Sequence, residues 1–168
     1  QIAWADAMRG DRPALIIAPL SIASQTAHEA QALDLGATVV RSGEQVTGPG
    51  LWITNYEMQH QFDPSAFGAV VLDESSILKN HEGRTRTALI DRWGKVPFRL
   101  ACTATPAPND HTELANHAEF LGAMSRVEML AAFFVHDDDG WRLKGHASEA
   151  MYRWMASWAI AARWPSDV

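Results

Sequence analysis

The chain has one cysteine, Cys102, in 168 residues. An internal disulfide is therefore excluded, and a lone thiol on an apolar strand fits a reducing cytoplasm, with Cys102 expected to be inert. No apolar run approaches the roughly 20 residues of a membrane-spanning helix, so no membrane partner is expected. The opening Gln1-Ile2-Ala3-Trp4 has neither an initiator methionine nor a signal-peptide layout, and is expected to lie inside a longer protein. Repeats, low-complexity tracts and obvious linkers are lacking. The seven histidines do not fall at ligand spacing: His111 and His117 are six apart, with no Cys/His cluster, so no zinc site is expected. Asp137-Asp138-Asp139 lacks the alternation of a calcium loop and reads as an exposed turn. No Gly-x-x-x-x-Gly-Lys-Ser/Thr occurs, so the loop that cradles nucleotide phosphates is missing from these residues. Positive charge is short as well. A net charge of −6 argues against a bulk electrostatic nucleic-acid binder.

The charge is uneven, however. Lys79 to Arg99 holds six Lys or Arg against Glu82 and Asp91, which reads either as a solvated helix face or as a phosphate-contacting edge. Apolar residues make up 47% of the chain, enough for a core of one domain or part of a larger one.

Strands and helices alternate along the first two thirds. Ile2 to Met8 reads as a helix closed by Gly10, with Pro13 barring its continuation. Ala14 to Ala18 is a buried strand, and Ser21 is the expected N-cap of a helix reaching about Leu35. Thr38 to Val40 and Leu51 to Thr54 are strands around a glycine-rich loop. Ala69 to Leu72 is a strand, Arg84 to Trp93 a helix and Phe98 to Cys102 a strand. These strands are continuously apolar, which predicts a parallel sheet covered by helices on both faces. Beyond Asn109 the pattern changes. Helices are expected at Asn109–Leu121, Ser125–Phe133 and Ser148–Arg163, with a hairpin over Val135–Leu143 turning at Asp-Gly. Trp154 and Trp158 share a face of the last helix and, with Trp141 and Trp164, read as core or as a contact surface for another domain, with stacking on bases as the alternative.

The strand at Ala69–Leu72 ends in Asp73-Glu74, at the carboxyl edge where open α/β sheets place ligands. One acid there suits Mg²⁺, held through water, and its neighbour suits orienting a water for attack on a phosphate. Taken alone, the pair also fits an ordinary strand running into a helix cap.

Four pieces stand in fixed order: Ile17-Ala18-Pro19-Leu20-Ser21, Ile53-Thr54-Asn55-Tyr56-Glu57, Leu72-Asp73-Glu74-Ser75-Ser76 with Leu78-Lys79-Asn80, and Leu100-Ala101-Cys102-Thr103-Ala104-Thr105-Pro106. This set resembles motifs Ia, Ib, II and III in the first RecA-like domain of superfamily-two helicases, most closely the Swi/Snf-type DNA translocases. The resemblance covers about residues 1 to 121; the tail, 122 to 168, is less securely similar to phage and bacterial members. It implies a RecA-like P-loop NTPase sheet, with a helical and hairpin extension leading towards a second RecA-like domain. It also implies ATP and Mg²⁺ as cofactors and DNA as partner. Asp73 would hold the metal, Glu74 would orient the water, and Thr103 and Thr105 would couple hydrolysis to movement. Pro19, Ser21, Asn55, Tyr56, Lys79, Asn80 and Arg84 would be candidate DNA contacts.

Two departures bear on this. Ser76 stands where the family has His or Asp; its hydroxyl is expected to bond across to motif III without a charge. The phosphate loop, which in the family immediately precedes the first helix here, is missing, as is the second domain with its arginine finger. The chain is thus expected to be an inactive fragment of an ATP-dependent helicase or translocase, its Phe98–Cys102 strand left as an open edge. The alternatives are the motor subunit of a restriction-type nuclease and a nucleic-acid-binding remnant that never hydrolyses ATP.

Overall fold

The computed structural model describes residues 1–78, 84–105, 111–138 and 140–162. In chain order these form α1 (Ile2–Met8), β1 (Ala14–Ala18), α2 (Ala23–Ala32), β2 (Ala37–Val39), β3 (Leu51–Asn55), β4 (Ala69–Leu72), α3 (Arg84–Trp93) and β5 (Phe98–Ala101). There follow α4 (Leu114–Leu121), α5 (Arg126–Phe133), a hairpin of β6 (Phe134–Asp137) and β7 (Gly140–Leu143), and α6 (Ser148–Met155). The main sheet runs β2-β3-β1-β4-β5 and every pairing in it is parallel.

Burial explains that order. Every residue of β1 and β4 is buried, as strands covered on both faces must be, and these two lie at the centre. Alternate side chains feed two cores. On one face Ile16, Ile53 and Val71 pack with Ile2 and Ala5 of α1 and Ala23 and Ala30 of α2. On the other, Leu15, Ile17, Val70 and Leu72 meet Leu89 and Trp93 of α3 and Phe120 of α4. Trp93 also donates its indole N–H to Gln59 Oε1 at 2.7 Å, so its burial leaves no unpaired donor. β5 is the outermost strand on its side, and Phe98 at its start is half exposed. Gly68 allows β4 to begin here: a Cβ would run into the Arg9 carbonyl, and the Gly68 amide donates to Pro13 O at 2.9 Å.

A third apolar cluster joins Leu114 and Ala115 of α4 to Met129, Leu130, Phe134 and Met151. α4 thus packs on the sheet through Phe120 and on the carboxyl-terminal elements through its first turn. Gly122 ends α4 in the left-handed region at φ 74°, and Ser125 caps α5 through a reciprocal box with Glu128.

Three expectations need correction. Ser21 does not cap α2. The Pro19 carbonyl accepts from the amides of Ile22 and Ala23, a tight turn that leaves Ile22 as N-cap with no side-chain bond. The last helix stops at Met155, because the Ser157 amide and hydroxyl both return to Trp154 O, at 3.0 and 2.6 Å, and compete with the helical ladder. The helix expected from Asn109 starts at Leu114 after a short 3₁₀ turn from His111; Asn109 itself lies outside the described residues. Among the described residues no helix is long and apolar enough to cross a membrane.

Candidate active site

The carboxyl ends of β1, β3, β4 and β5 lie side by side, since the register pairs Ile17 with Thr54 and Leu72, and Leu72 with Ala101. Asp73 and Glu74 leave the central strand at this edge. The Asp73 amide extends the ladder to Ile17 O at 2.9 Å, and its carbonyl accepts the Tyr56 hydroxyl at 2.8 Å. Its Oδ1 accepts the Glu74 amide at 3.0 Å and its Oδ2 accepts Gln1 Nε2, also at 3.0 Å.

Glu74 adopts φ 50°, a left-handed backbone for a residue with a long side chain. Such strain costs on the order of 1–3 kcal/mol and persists where neighbouring bonds over-determine it. Those bonds are present: Asp73 is tied on one side, and on the other the Ser75 amide donates to Cys102 O at 2.7 Å. The Glu74 carboxylate accepts Thr103 Oγ1 at 3.3 Å, and Thr103 Oγ1 in turn accepts the Thr105 amide at 3.1 Å. Thr103, which follows β5, therefore touches the second acid directly, and Thr105 bonds to Thr103. Ser76 makes no crossing of that kind: its hydroxyl donates locally to Glu74 O at 3.4 Å, because the 3₁₀ turn over Ser75–Leu78 folds it back on the acidic loop. The link expected of Ser76 is made instead by the Ser75 amide and the Glu74 carboxylate.

The remaining candidates divide. Tyr56 is 9% exposed, and burial, reinforced by the charges of Asp73 and Glu74, pushes its phenol well above the ordinary tyrosine range. It is a neutral prop beneath the loop, not a surface group. Asn55 ends β3 with its Oδ1 accepting the Met58 amide at 2.9 Å in an Asx turn. Pro19 and Ser21 follow β1 at the same edge of the sheet, Ser21 exposed. Arg84 opens α3, and Lys79 and Asn80 lie outside the described residues. Burial raises the Cys102 thiol above its usual range, which disfavours the reactive thiolate.

Sequence reading missed two groups on α4. His117 Nε2 lies 3.2 Å from Ser75 Oγ, and Asn116 Nδ2 donates to Leu78 O at 2.7 Å. Neither spacing nor periodicity marks these positions; the one available signal was polarity amid the apolar residues Leu114, Ala115, Ala118 and Phe120.

Among solved structures, the chain superposes on the Sulfolobus solfataricus SWI2/SNF2 ATPase core in complex with dsDNA, at a TM-score of 0.71 and 22% identity. The match covers 95% of this chain and 35% of that one. The fold is that of a RecA-like P-loop NTPase. No family model matches the chain, nor does any curated protein. Within the RecA-like fold the acidic pair stands at the carboxyl edge of the sheet, where open α/β sheets receive ligands. Among the described residues no group of three or more His, Cys, Asp or Glu side chains is placed to hold a metal. Mg²⁺ asks for less: hard oxygen donors from one or two carboxylates, with phosphates and water completing its octahedron. Asp73 fits that demand, because among the described residues its carboxylate oxygens accept from a loop amide and from the side chain of the exposed Gln1, with no buried cation beside them.

Proposed function

We propose that this chain contributes the acidic-pair half of an ATP-hydrolysing site in a motor that moves on DNA. The observation that carries the reading is the Glu74 carboxylate, presented from a strained left-handed residue at the end of a buried central strand and bonded to Thr103 after the neighbouring strand. Asp73 would hold Mg²⁺ through water; when bound, the ion supplies charge neutralisation for the phosphates. Glu74 would hold and polarise the attacking water. Thr103 would register whether Glu74 is engaged, and Thr105, whose amide bonds the Thr103 hydroxyl, would move with it. Swi/Snf-type translocases provide the analogy for this division of labour, and the neighbour seen with dsDNA supports nucleic acid as the track.

The DNA side of the proposal rests on position. Pro19 and Ser21 follow β1 and Asn55 ends β3, both strands finishing beside the acidic pair, and Lys79, Asn80 and Arg84 follow that pair in sequence. Phosphate contacts from such residues would set register on the backbone without reading bases. The matched neighbour is almost three times longer than the matched region, so a second RecA-like domain belongs to the proposal as the source of the arginine that offsets transition-state charge. The test is DNA-stimulated ATP hydrolysis by the intact gene product. Turnover that requires Mg²⁺ and rises with DNA supports the motor; DNA binding without turnover supports the remnant.

A further inference from the structure

We propose that Asn116 and His117 of α4 are positioning residues for Glu74, gripping the turn behind it at both ends. The proposal rests on the reading of Asp73 and Glu74 as the hydrolytic pair, and it adds residues that lie outside all four strand-end motifs.

The turn over Ser75–Leu78 follows Glu74 without a spacer. At its first residue Ser75 is wholly buried, with Oγ 3.2 Å from His117 Nε2 and its amide on Cys102 O at 2.7 Å. At its last residue the Leu78 carbonyl accepts Asn116 Nδ2 at 2.7 Å. Asn116 is wholly buried and His117 is 4% exposed. Asn116 is itself oriented: Arg86 of α3 donates to its Oδ1 at 3.2 Å and also pairs with Glu119 of α4 at 3.7 Å. Two consecutive helical residues thus hold the two ends of one short turn, and a third element fixes the holder.

A local role in folding alone would not place both grips on the turn that continues a left-handed residue. Glu74 cannot relax towards ordinary φ without swinging Ser75, and Ser75 is anchored through both its amide and its hydroxyl. Removing the imidazole leaves a buried hydroxyl without that partner in a low-dielectric setting, where the loss is felt most. The turn then gains freedom and the Glu74 carboxylate loses its fixed aim, while Asp73, tied to β1 and Tyr56 on the other flank, keeps its place. The consequence is specific: water activation suffers and nucleotide binding does not.

The experiment uses the intact gene product with His117→Leu, His117→Gln, Ser75→Ala and the Ser75→Ala/His117→Leu double variant, and Glu74→Gln as reference. Leucine keeps the buried volume without a polar atom, whereas glutamine can return an amide to the Ser75 hydroxyl. His117→Leu is expected to lower kcat about tenfold or more with KM for ATP within about twofold, and His117→Gln to recover most of the loss. The double variant should be no worse than either single one, since both remove one bond. Residue-resolved hydrogen exchange supplies a readout apart from turnover: the Ser75 amide should exchange about tenfold faster in His117→Leu, with the Asp73 amide unchanged. Unchanged exchange at Ser75 overturns the proposal, as does an equal fall of kcat in the leucine and glutamine variants. Retained kcat in His117→Leu beside an inactive Glu74→Gln overturns the positioning role and leaves the hydrolytic reading intact. Full turnover in Glu74→Gln overturns both, and marks the hydrolytic reading as the fault.

Discussion

Gln1 Nε2 donates to Asp73 Oδ2 at 3.0 Å, across 72 positions of sequence. The start of α1 therefore meets the first acid at the carboxyl end of the central strand. Gln1 is exposed, so Gln1→Ala should change unfolding stability by no more than about 0.5 kcal/mol. Denaturant unfolding checks it, and a larger loss would mean that this bond helps to hold the acidic loop.

The Tyr56 hydroxyl supports the Asp73 carbonyl from within the core. Tyr56→Phe keeps the ring and removes one hydrogen bond, an expected loss of about 0.5–1.5 kcal/mol in thermal or denaturant unfolding. The fold favours the neutral phenol, because burial first, and then the charges of Asp73 and Glu74, raise its pKa. That contribution is intact below the ordinary tyrosine value near ~10 and is lost as pH climbs above it. The wild type should therefore lose stability more steeply than Tyr56→Phe on the alkaline side; parallel profiles would count against the buried neutral phenol.

α5 begins with Ser125 Oγ accepting the Glu128 amide at 3.3 Å while Glu128 Oε2 accepts the Ser125 amide at 3.0 Å. Ser125→Ala should cost about 0.5–2 kcal/mol, the usual range for removal of a helix cap. Bonds from the Ser125 hydroxyl and amide hold the Glu128 carboxyl below its ordinary value. A depressed carboxylate contributes above its unfolded-state value and loses that contribution as pH falls through the folded one. Melting curves should accordingly show wild type and Glu128→Gln converging in acid and separating towards neutrality.

Much of the sheet was legible because its strands are short, continuously apolar and bounded by Gly, Pro or charge; β1, β4, α1 and α3 match their expected bounds. The helix ends were less so. Ser21 carries a favourable cap residue, yet the Pro19 carbonyl captures the amides first, and the Ser157 hydroxyl halts a helix whose tryptophan spacing invites continuation. Trp154 and Trp158 do meet, with ring centroids 5.2 Å apart. At the candidate site, the positions of Asp73, Glu74 and Thr103 just past strand ends were readable from the apolar runs that precede them. Tyr56, Gln1, Asn116 and His117 took their places through tertiary contacts, and nothing local in the sequence encodes a partner 42 positions away such as His117 has in Ser75.

Binding to DNA phosphates has a measurable signature. Neutralising Lys79 and Arg84 together should lower the log–log salt slope of DNA binding by ~0.7 to 0.9 for each phosphate that is no longer neutralised. Affinity should fall alike on unrelated sequences, as backbone contacts carry no base information. A slope identical to wild type would mean that neither residue contacts phosphate.

The central claim is that Glu74 orients the water for ATP hydrolysis, and Glu74→Gln in the intact gene product tests it most directly. The change keeps size and hydrogen-bonding reach, including a partner for Thr103, and removes the charge that polarises water. ATP affinity should stay within a few-fold while DNA-stimulated turnover falls by about 10²–10⁴, the range for loss of a general base. Turnover at the wild-type rate, with ATP bound as before, would contradict the account.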